Sequence, residues 1–150
     1  MQAKLIWKEN LQFTAEAGGH SVLMDAKPPL GQGKGQTPKQ LLLAALCGCT
    51  AMDVASLLRK QRHDIKHFEI TAEAATSREG VHPAVFTAVN LAFRIEGTVE
   101  PARALEAARL SQTLYCGIGA MLSRVVPIRY EVFVNGTCVG GGEAQFAPAA

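Results

Sequence analysis

The chain has 150 residues, a length typical of a single domain, so we predict one domain over residues 1–150. Hydrophobic residues make up 48% of the sequence and charged residues 19%, which excludes a disordered chain, because disorder requires low hydrophobicity and high charge. The formal net charge of +2 is too small to indicate binding to nucleic acid or to an anionic membrane surface. The low charged fraction is also typical of a protein that buries surface in an oligomer.

No segment of the sequence is expected to cross a membrane. The longest uncharged stretch in the helical region, residues 40–52, is much shorter than the roughly 20 residues that a transmembrane helix needs. Lys4, Lys8 and Glu9 interrupt the apolar segment that a signal peptide would require. We therefore predict a cytoplasmic protein, whose thiols stay reduced. The four cysteines are then buried hydrophobes, metal ligands or redox residues, namely Cys47, Cys49, Cys116 and Cys138.

The first third of the chain has the pattern of short strands followed by a loop. Alternating apolar residues predict three strands within residues 5–25, with turns at Glu9-Asn10 and Gly18-Gly19. Residues 27–36 contain two prolines and three glycines, which indicates a mobile loop. A phosphate-binding loop is disfavoured, because no Gly-Lys-Ser/Thr follows the glycines at the required spacing.

A long helix follows with clear signals at its start. Thr37 is a good N-cap, Pro38 suits the first helical position, and Gln40 completes a capping box. The helix is expected to run to about Gln61, and from residue 41 to residue 58 it is apolar nearly all the way round. Such a helix is buried on every face, which is easier to achieve if a second subunit contributes.

Strands and helices occur in groups through the rest of the chain. The apolar pattern predicts long strands over 66–76 and 84–96, joined as an antiparallel hairpin. Pro101 opens a helix of about 15 residues whose inner side includes Gln112 and Tyr115. A short helix over 118–124 and a strand over 128–134 complete the series.

The end of the chain contains a further hairpin signal. Asn135-Gly136 favours a type I′ turn, so residues 137–139 should return beside the last strand, and the Gly- and Ala-rich tail from Gly140 should fray. The predicted order of elements is βββ-α-ββ-αα-β. Because strands are grouped rather than alternating with helices, we predict an α+β fold with antiparallel sheets.

The cysteines have different prospects for chemistry. Cys47 and Cys49 lie roughly 200° apart around a helix, so they cannot bridge each other or share a metal ion. Cys116 stands at a helix break, and if Gly117 starts the next helix, the pKa of Cys116 should fall. For each cysteine the alternative is a small buried hydrophobe. Asp53, one turn beyond Cys49, either opposes thiolate formation there or accepts hydrogen bonds from strands packed on the helix.

Metal binding by histidine is not supported by the sequence. His63 and His67 have the i, i+4 spacing that suits zinc on a helix, but the helix should end near them and no third ligand is nearby. We interpret both as surface histidines and predict no metal site.

The segment TPKQLLLAALCGCTAMDV, residues 37–54, together with Tyr115-Cys116, resembles the signature of the OsmC/Ohr family of thiol peroxidases, which reduce organic hydroperoxides. The order of elements also matches that family. The resemblance implies an intertwined homodimer, with antiparallel sheets wrapped around long central helices. It implies Cys49 as the peroxidatic residue and Cys116 as the resolving residue. A dithiol reductant, by family analogy a lipoylated protein, would reduce the disulfide, with no metal, flavin or nucleotide cofactor.

The chain departs from the active hydroperoxide reductases in the residues that activate the thiolate. Lys39 stands where those enzymes carry a Glu, and no Arg precedes Arg59. His20 lies roughly where the missing Arg is expected, and it could be a weaker cation or donor or a structural strand residue. Two functional hypotheses follow. One is a thiol-dependent peroxidase, and the other is a non-catalytic dimeric binder of a small lipophilic or electrophilic ligand.

Overall fold

The computed structural model describes residues 1–78 and 80–148. The chain divides into two compact units, of which the first is Met1–Leu43 and the second begins at Ala44. The single domain over residues 1–150 stays a prediction.

The first unit contains the three predicted strands as an antiparallel sheet. Its strands are β1 (Lys4–Glu9), β2 (Gln12–Ala17) and β3 (His20–Met24), in the order β1-β2-β3. The predicted turn at Gly18-Gly19 is confirmed, and the first turn lies one residue later than predicted, at Asn10-Leu11. Gly18 and Gly19 have φ angles of +58° and +82°, a conformation that glycine adopts without steric cost.

The loop after β3 is organised around the buried carboxylate of Asp25. This carboxylate accepts hydrogen bonds from the backbone N–H groups of Lys34 at 3.0 Å, Ala26 at 2.8 Å and Gln32 at 3.2 Å, and from Gln12 Nε2 at 3.3 Å. The hydrogen bond from Lys34 is the main reason why the pKa of Asp25 is lowered, and it outweighs the opposing effect of desolvation. Composition predicts only a mobile loop over residues 27–36, whereas in the structure hydrogen bonds to the Asp25 carboxylate hold part of this loop.

The long helix α1 (Pro38–Lys60) begins at the predicted capping box. The backbone N–H of Thr37 donates to Gln40 Oε1 at 2.8 Å, and the Thr37 hydroxyl accepts from the Gln40 N–H at 3.4 Å. The composition of the helix predicts burial on every face. In the structure a single chain covers only one stripe of the helix. That stripe has a spacing of four residues and consists of Leu46, Thr50, Val54 and Leu58.

Helix α1 passes a test for a membrane span without contradicting the expectation that no segment crosses a membrane. It is long and apolar enough to cross a bilayer by length and composition alone. The core helix of a soluble protein passes the same test, so this result does not by itself indicate a membrane span.

The second unit contains a four-stranded sheet in the order β4-β5-β6-β7. Its strands are β4 (Asp64–Thr76), β5 (Phe86–Thr98), β6 (Ile128–Val134) and β7 (Thr137–Glu143). The β4–β5 and β6–β7 pairs are antiparallel, which confirms both predicted hairpins. The β5–β6 pair is parallel, so the expectation of purely antiparallel sheets is wrong at this one pairing. Parallel neighbours need a long crossover connection, and the helices between β5 and β6 supply it.

The turn between β6 and β7 agrees with the prediction, whereas the tail that follows does not. Asn135 and Gly136 have φ angles of +48° and +80°, as a type I′ turn requires. The tail was expected to fray from Gly140, but β7 continues to Glu143. Gly140 has a φ of +142°, a conformation that residues with a side chain rarely adopt, and a Cβ atom there would lie 2.8 Å from Leu105 Cδ2 of α2 (Pro101–Leu110). The last two residues of the predicted tail lie outside the described residues.

The crossover between β5 and β6 positions the site. Helix α2 is followed by a π-helical segment, Ser111–Tyr115, and then by the short helix α3 (Gly117–Leu122). The π-helical segment changes the register of the predicted 15-residue helix: Gln112 is buried as expected, but Tyr115 is 51% exposed rather than on the inner side. Such segments often occur at functional sites.

The core of the second unit lies between the sheet and these helices. The sheet contributes alternate residues of β5 and β6, and α2 contributes small alanines that permit close packing. The core residues on these elements are Val89, Leu91, Phe93, Ile95, Ile128, Tyr130, Val132, Val134, Ala104, Ala107 and Ala108.

Candidate active site

Three side chains from two separate elements converge in the second unit. Cys49 and Asp53 lie one turn apart on α1, so they occupy the same face of the helix. Cys116 lies between the π-helical segment and α3. The two Sγ atoms and a carboxylate oxygen of Asp53 all lie within 4.8 Å of one another. The structure therefore brings together the two cysteines that the family resemblance singled out, and it adds a carboxylate to them.

A chain of hydrogen bonds fixes the Cys116 side chain, which is fully buried. Its sulfur accepts a hydrogen bond from Thr50 Oγ1 at 3.4 Å and another from the backbone N–H of Gly119 at 3.2 Å. The Thr50 hydroxyl in turn accepts from Gln112 Nε2 at 3.0 Å. Because Thr50 lies on the buried stripe of α1, this chain connects α1 with the π-helical segment.

The pKa of Cys116 is raised to about 11, mainly because burial disfavours the thiolate. The hydrogen bonds from Thr50 and Gly119 favour the thiolate but do not offset burial, and the neighbouring Cys49 raises the pKa further. This result overturns the expectation of a lowered pKa. Gly117 does begin α3, but the low dielectric around the sulfur outweighs the effect of the helix start.

Asp53 interacts with the π-helical segment rather than with packed strands. One of its carboxylate oxygens, Oδ2, accepts a hydrogen bond from Ser111 Oγ at 2.9 Å. Within residues 44–78 and 80–148, no lysine, arginine or histidine forms an ion pair with it. Cys49, which is half-buried, thus has the Asp53 carboxylate as a close neighbour.

The other candidate residues lie outside this cluster. Cys47 is half-buried, and desolvation raises its pKa, while Cys138 is exposed on β7. His63 and His67 belong to no three-donor group among the described residues. His20 is an exposed residue at the start of β3 in the first unit, and its role in supporting a thiolate stays a prediction.

Sequence reasoning missed the polar residues that position Cys116 and Asp53. Thr50 follows Cys49 directly and has the four-residue spacing of the buried stripe, which is the signal that could have revealed it. The helical pattern predicts Gln112 on the inner side of its helix but gives it no partner, and it does not single out Ser111. Their partners lie more than 50 positions away in the chain, so no local pattern identifies them.

The fold is α+β, and its candidate site combines a half-buried cysteine on a long apolar helix with a buried cysteine from a separate element. These features are typical of the OsmC-like class of proteins. The sequence pattern of the OsmC-like proteins matches residues 31–131, so the chain belongs to the OsmC-like family. Protein YhfA of Escherichia coli strain K12 is 37% identical over 136 residues, which cover 88% of this chain and 98% of YhfA.

Solved structures agree with this assignment. A hypothetical protein from Aquifex aeolicus VF5 has a TM-score of 0.75 at 25% identity, covering 89% of this chain and 96% of its own. The organic hydroperoxide resistance protein OhrB of Bacillus subtilis has a TM-score of 0.64 at 15% identity, covering 88% of this chain and 96% of its own, a likeness of fold alone. The α+β fold is confirmed, and α1 is the core helix of an OsmC-like fold rather than a membrane span.

Proposed function

We propose that this protein is a thiol-dependent peroxidase that reduces organic hydroperoxides through Cys49 and Cys116. The observation that carries the proposal is the separation of the two sulfurs, at most 4.8 Å, between two elements far apart in sequence. The sulfurs of a disulfide are about 2.05 Å apart, so the two Sγ atoms must approach each other by less than about 3 Å to form one. OhrB, which shares the fold, is named for organic hydroperoxide resistance.

The proposed reaction begins at Cys49, because its side chain is the more accessible of the two. The Cys49 thiolate attacks the terminal oxygen of the hydroperoxide, the O–O bond breaks, and the alcohol leaves after taking up a proton. The peroxide is reduced by two electrons, and the sulfur of Cys49 becomes a sulfenic acid. Cys116 then attacks that sulfur, water leaves, and a Cys49–Cys116 disulfide forms.

The order of the two steps follows from the electrostatics of Cys116. Part of the increase in its pKa comes from Cys49. When Cys49 becomes a neutral sulfenic acid, that contribution is removed, whereas the donors Thr50 and Gly119 remain in place. Ionisation of Cys116 is therefore easier after Cys49 has reacted than before, while burial, the main cause of its raised pKa, remains. A dithiol, by family analogy on a lipoylated protein, exchanges with the disulfide, restores both thiols and becomes a disulfide itself.

A second candidate function is a non-catalytic binder of a small lipophilic or electrophilic ligand. The observation that favours it is the carboxylate of Asp53, which lies beside Cys49 without an ion-pair partner in residues 44–78 and 80–148. The chain also has Lys39 in place of the family Glu and no Arg before Arg59. These last two features differ from the residues that the family resemblance associates with peroxidase activity.

The proposed assembly is a homodimer in the cytoplasm. Only one stripe of α1 is buried within a single chain, and Met52 on this helix is 75% exposed. A second copy of the chain would bury this apolar surface, so that every face of the helix would be covered. The family resemblance supplies the arrangement, in which sheets wrap around the paired helices.

The activity is tested by measuring the consumption of cumene hydroperoxide and of hydrogen peroxide with dihydrolipoamide as the reductant. We expect dithiol-dependent turnover that is faster with cumene hydroperoxide, is abolished in Cys49→Ser and is retained in Cys47→Ser, which removes a thiol from the same helix. No consumption above the buffer rate by the folded, reduced protein would overturn the peroxidase and leave the binder.

A further inference from the structure

We propose that Cys49, Asp53 and Cys116 form a binding site for a thiophilic divalent cation, with Zn²⁺ as its representative. This inference does not depend on the peroxidase activity. It revises the sequence-based expectation of no metal site, which considered only histidine pairs and the Cys47–Cys49 pair.

The chemistry of the three donors suits this class of ion. Zinc is bound in proteins by cysteine thiolate, histidine nitrogen and carboxylate oxygen, with sulfur at about 2.3 Å and oxygen at about 2.0–2.2 Å from the ion. Two ligands of a tetrahedral ion are then separated by somewhat less than 4 Å. The donor atoms here lie within 4.8 Å of one another, so a small inward movement of the side chains completes three ligand positions.

Two of the three ligands already have the supporting hydrogen bonds that metal ligands require. Ser111 donates to Asp53, and Thr50 and Gly119 donate to Cys116. Partners of this kind orient a ligand, and their loss typically lowers metal affinity about 10–100-fold. Asp53 has no ion pair in residues 44–78 and 80–148, so its charge is available to a cation.

The burial of the ligands indicates how an ion would enter. Cys116 is fully buried, whereas Cys49 and Asp53 are half-buried. The ion would therefore approach from the side of α1 that carries Cys49 and Asp53, and its fourth position, filled by water, would face that opening. Binding releases the two thiol protons and involves no change of oxidation state, so the balance is one cation in and two protons out.

The bound cation would protect both sulfurs. While the ion is bound, its two thiolate ligands would form a disulfide or react with an electrophile much more slowly. Metal loading is therefore expected to suppress thiol reactivity.

The site is tested on the untagged, fully reduced, metal-free protein by titration with Zn²⁺ against a chromophoric chelator. We expect one Zn²⁺ per chain, with affinity at least tenfold weaker in Cys116→Ser and in Asp53→Asn and unchanged in Cys47→Ser. Ser111→Ala is expected to weaken binding about 10–100-fold, because it removes only the partner of Asp53. Binding of equal affinity in wild type and Asp53→Asn, or no stoichiometric binding by wild type, would overturn the proposal.

Two measurements on wild-type protein avoid any dependence on variants that fail to fold. Titration with Cd²⁺ is expected to give a thiolate-to-metal charge-transfer band with the intensity of two Cd–S bonds, and an intensity of one or none would contradict the site. One equivalent of Zn²⁺ is expected to slow the alkylation of Cys49 by iodoacetamide at least tenfold while leaving that of Cys138 unchanged. Equal protection of the two cysteines, or protection of neither, would also contradict it. Neither readout depends on peroxide turnover, so failure here leaves the peroxidase untouched.

Discussion

The hydroxyl group of Thr50 donates a hydrogen bond to the Cys116 sulfur at 3.4 Å, across the contact between α1 and the π-helical segment. Thr50 also accepts a hydrogen bond from Gln112, and all three side chains are fully buried. One hydroxyl therefore both fixes the position of the buried sulfur and favours its thiolate.

Thr50→Val is expected to lose both effects while keeping the shape of the side chain. The Gln112 amide would lose its acceptor in a buried environment, which costs about 1–3 kcal/mol of unfolding free energy. The pKa of Cys116 would rise further, so a Cys49 sulfenic acid would persist longer before the disulfide forms. Urea denaturation and trapping of the sulfenic acid with dimedone measure the two effects.

Thr50→Ser is the matched control for this prediction, because it keeps the hydroxyl and removes only a methyl group. Its sulfenic acid lifetime should stay close to that of wild type. Equal lifetimes in Thr50→Val and wild type would show that the hydrogen bond to Cys116 has no role in resolution.

The glycines of α3 offer a second pair of variants. A Cβ atom at Gly119 would lie 3.2 Å from Phe146 Cζ and 3.3 Å from Cys116 Sγ, whereas one at Gly117 would meet nothing within 4 Å. Gly119→Ala is therefore expected to displace the Cys116 sulfur and slow disulfide formation, and Gly117→Ala should leave the rate unchanged. Stopped-flow mixing with one equivalent of cumene hydroperoxide measures both rates. Similar rates in the two variants would contradict the close packing around Cys116.

The proposed homodimer is tested on the exposed apolar surface of α1. Met52→Glu places a charge on this surface and should weaken the dimer, because a buried unpaired charge is strongly unfavourable. Met121→Glu is the control, since Met121 is 63% exposed on α3 rather than on α1. Light scattering across a dilution series should give a dimer for wild type and the control. A folded wild-type monomer at micromolar concentration would be the contrary result.

The loop of the first unit gives a prediction about pH. The pKa of Asp25 is below its ordinary value of 3.8, so the ionised carboxylate contributes stability above about pH 3.8, and this contribution is lost as the pH falls through the lower folded pKa. Asp25→Asn should therefore lower the thermal unfolding midpoint at neutral pH, and its midpoint should change less than that of wild type between pH 5 and pH 2. Glu16→Gln, which removes an exposed carboxylate from the same unit, should behave like wild type. Parallel curves for Asp25→Asn and wild type would refute this role.

Local signals predicted much of the fold. The capping box at Thr37 and Gln40, the Asn135-Gly136 turn and the β4–β5 hairpin each depend on residues close in sequence, and each is confirmed. The parallel β5–β6 pairing depends on where a distant strand inserts into the sheet, so a grouped order of elements did not reveal it.

The candidate site was predictable only in part. The family resemblance indicated Cys49 and Cys116, but the pKa of Cys116 depends on tertiary burial, which a helix-start argument ignores. Tyr115 was misplaced because a π-helical turn cannot be recognised from a 3.6-residue pattern. The Ser111–Asp53 hydrogen bond joins residues 58 positions apart, which no spacing rule detects.

The central claim is that Cys49 and Cys116 form a redox pair, and peptide mapping tests it most directly. The reduced protein is treated with one equivalent of cumene hydroperoxide, alkylated, digested without reductant and analysed by mass spectrometry. We predict a Cys49–Cys116 cross-link, formed equally well when Cys47 and Cys138 are both replaced by Ser. A disulfide that joins Cys49 to any other cysteine, or a peroxide-treated protein with all four thiols still free, would contradict the claim.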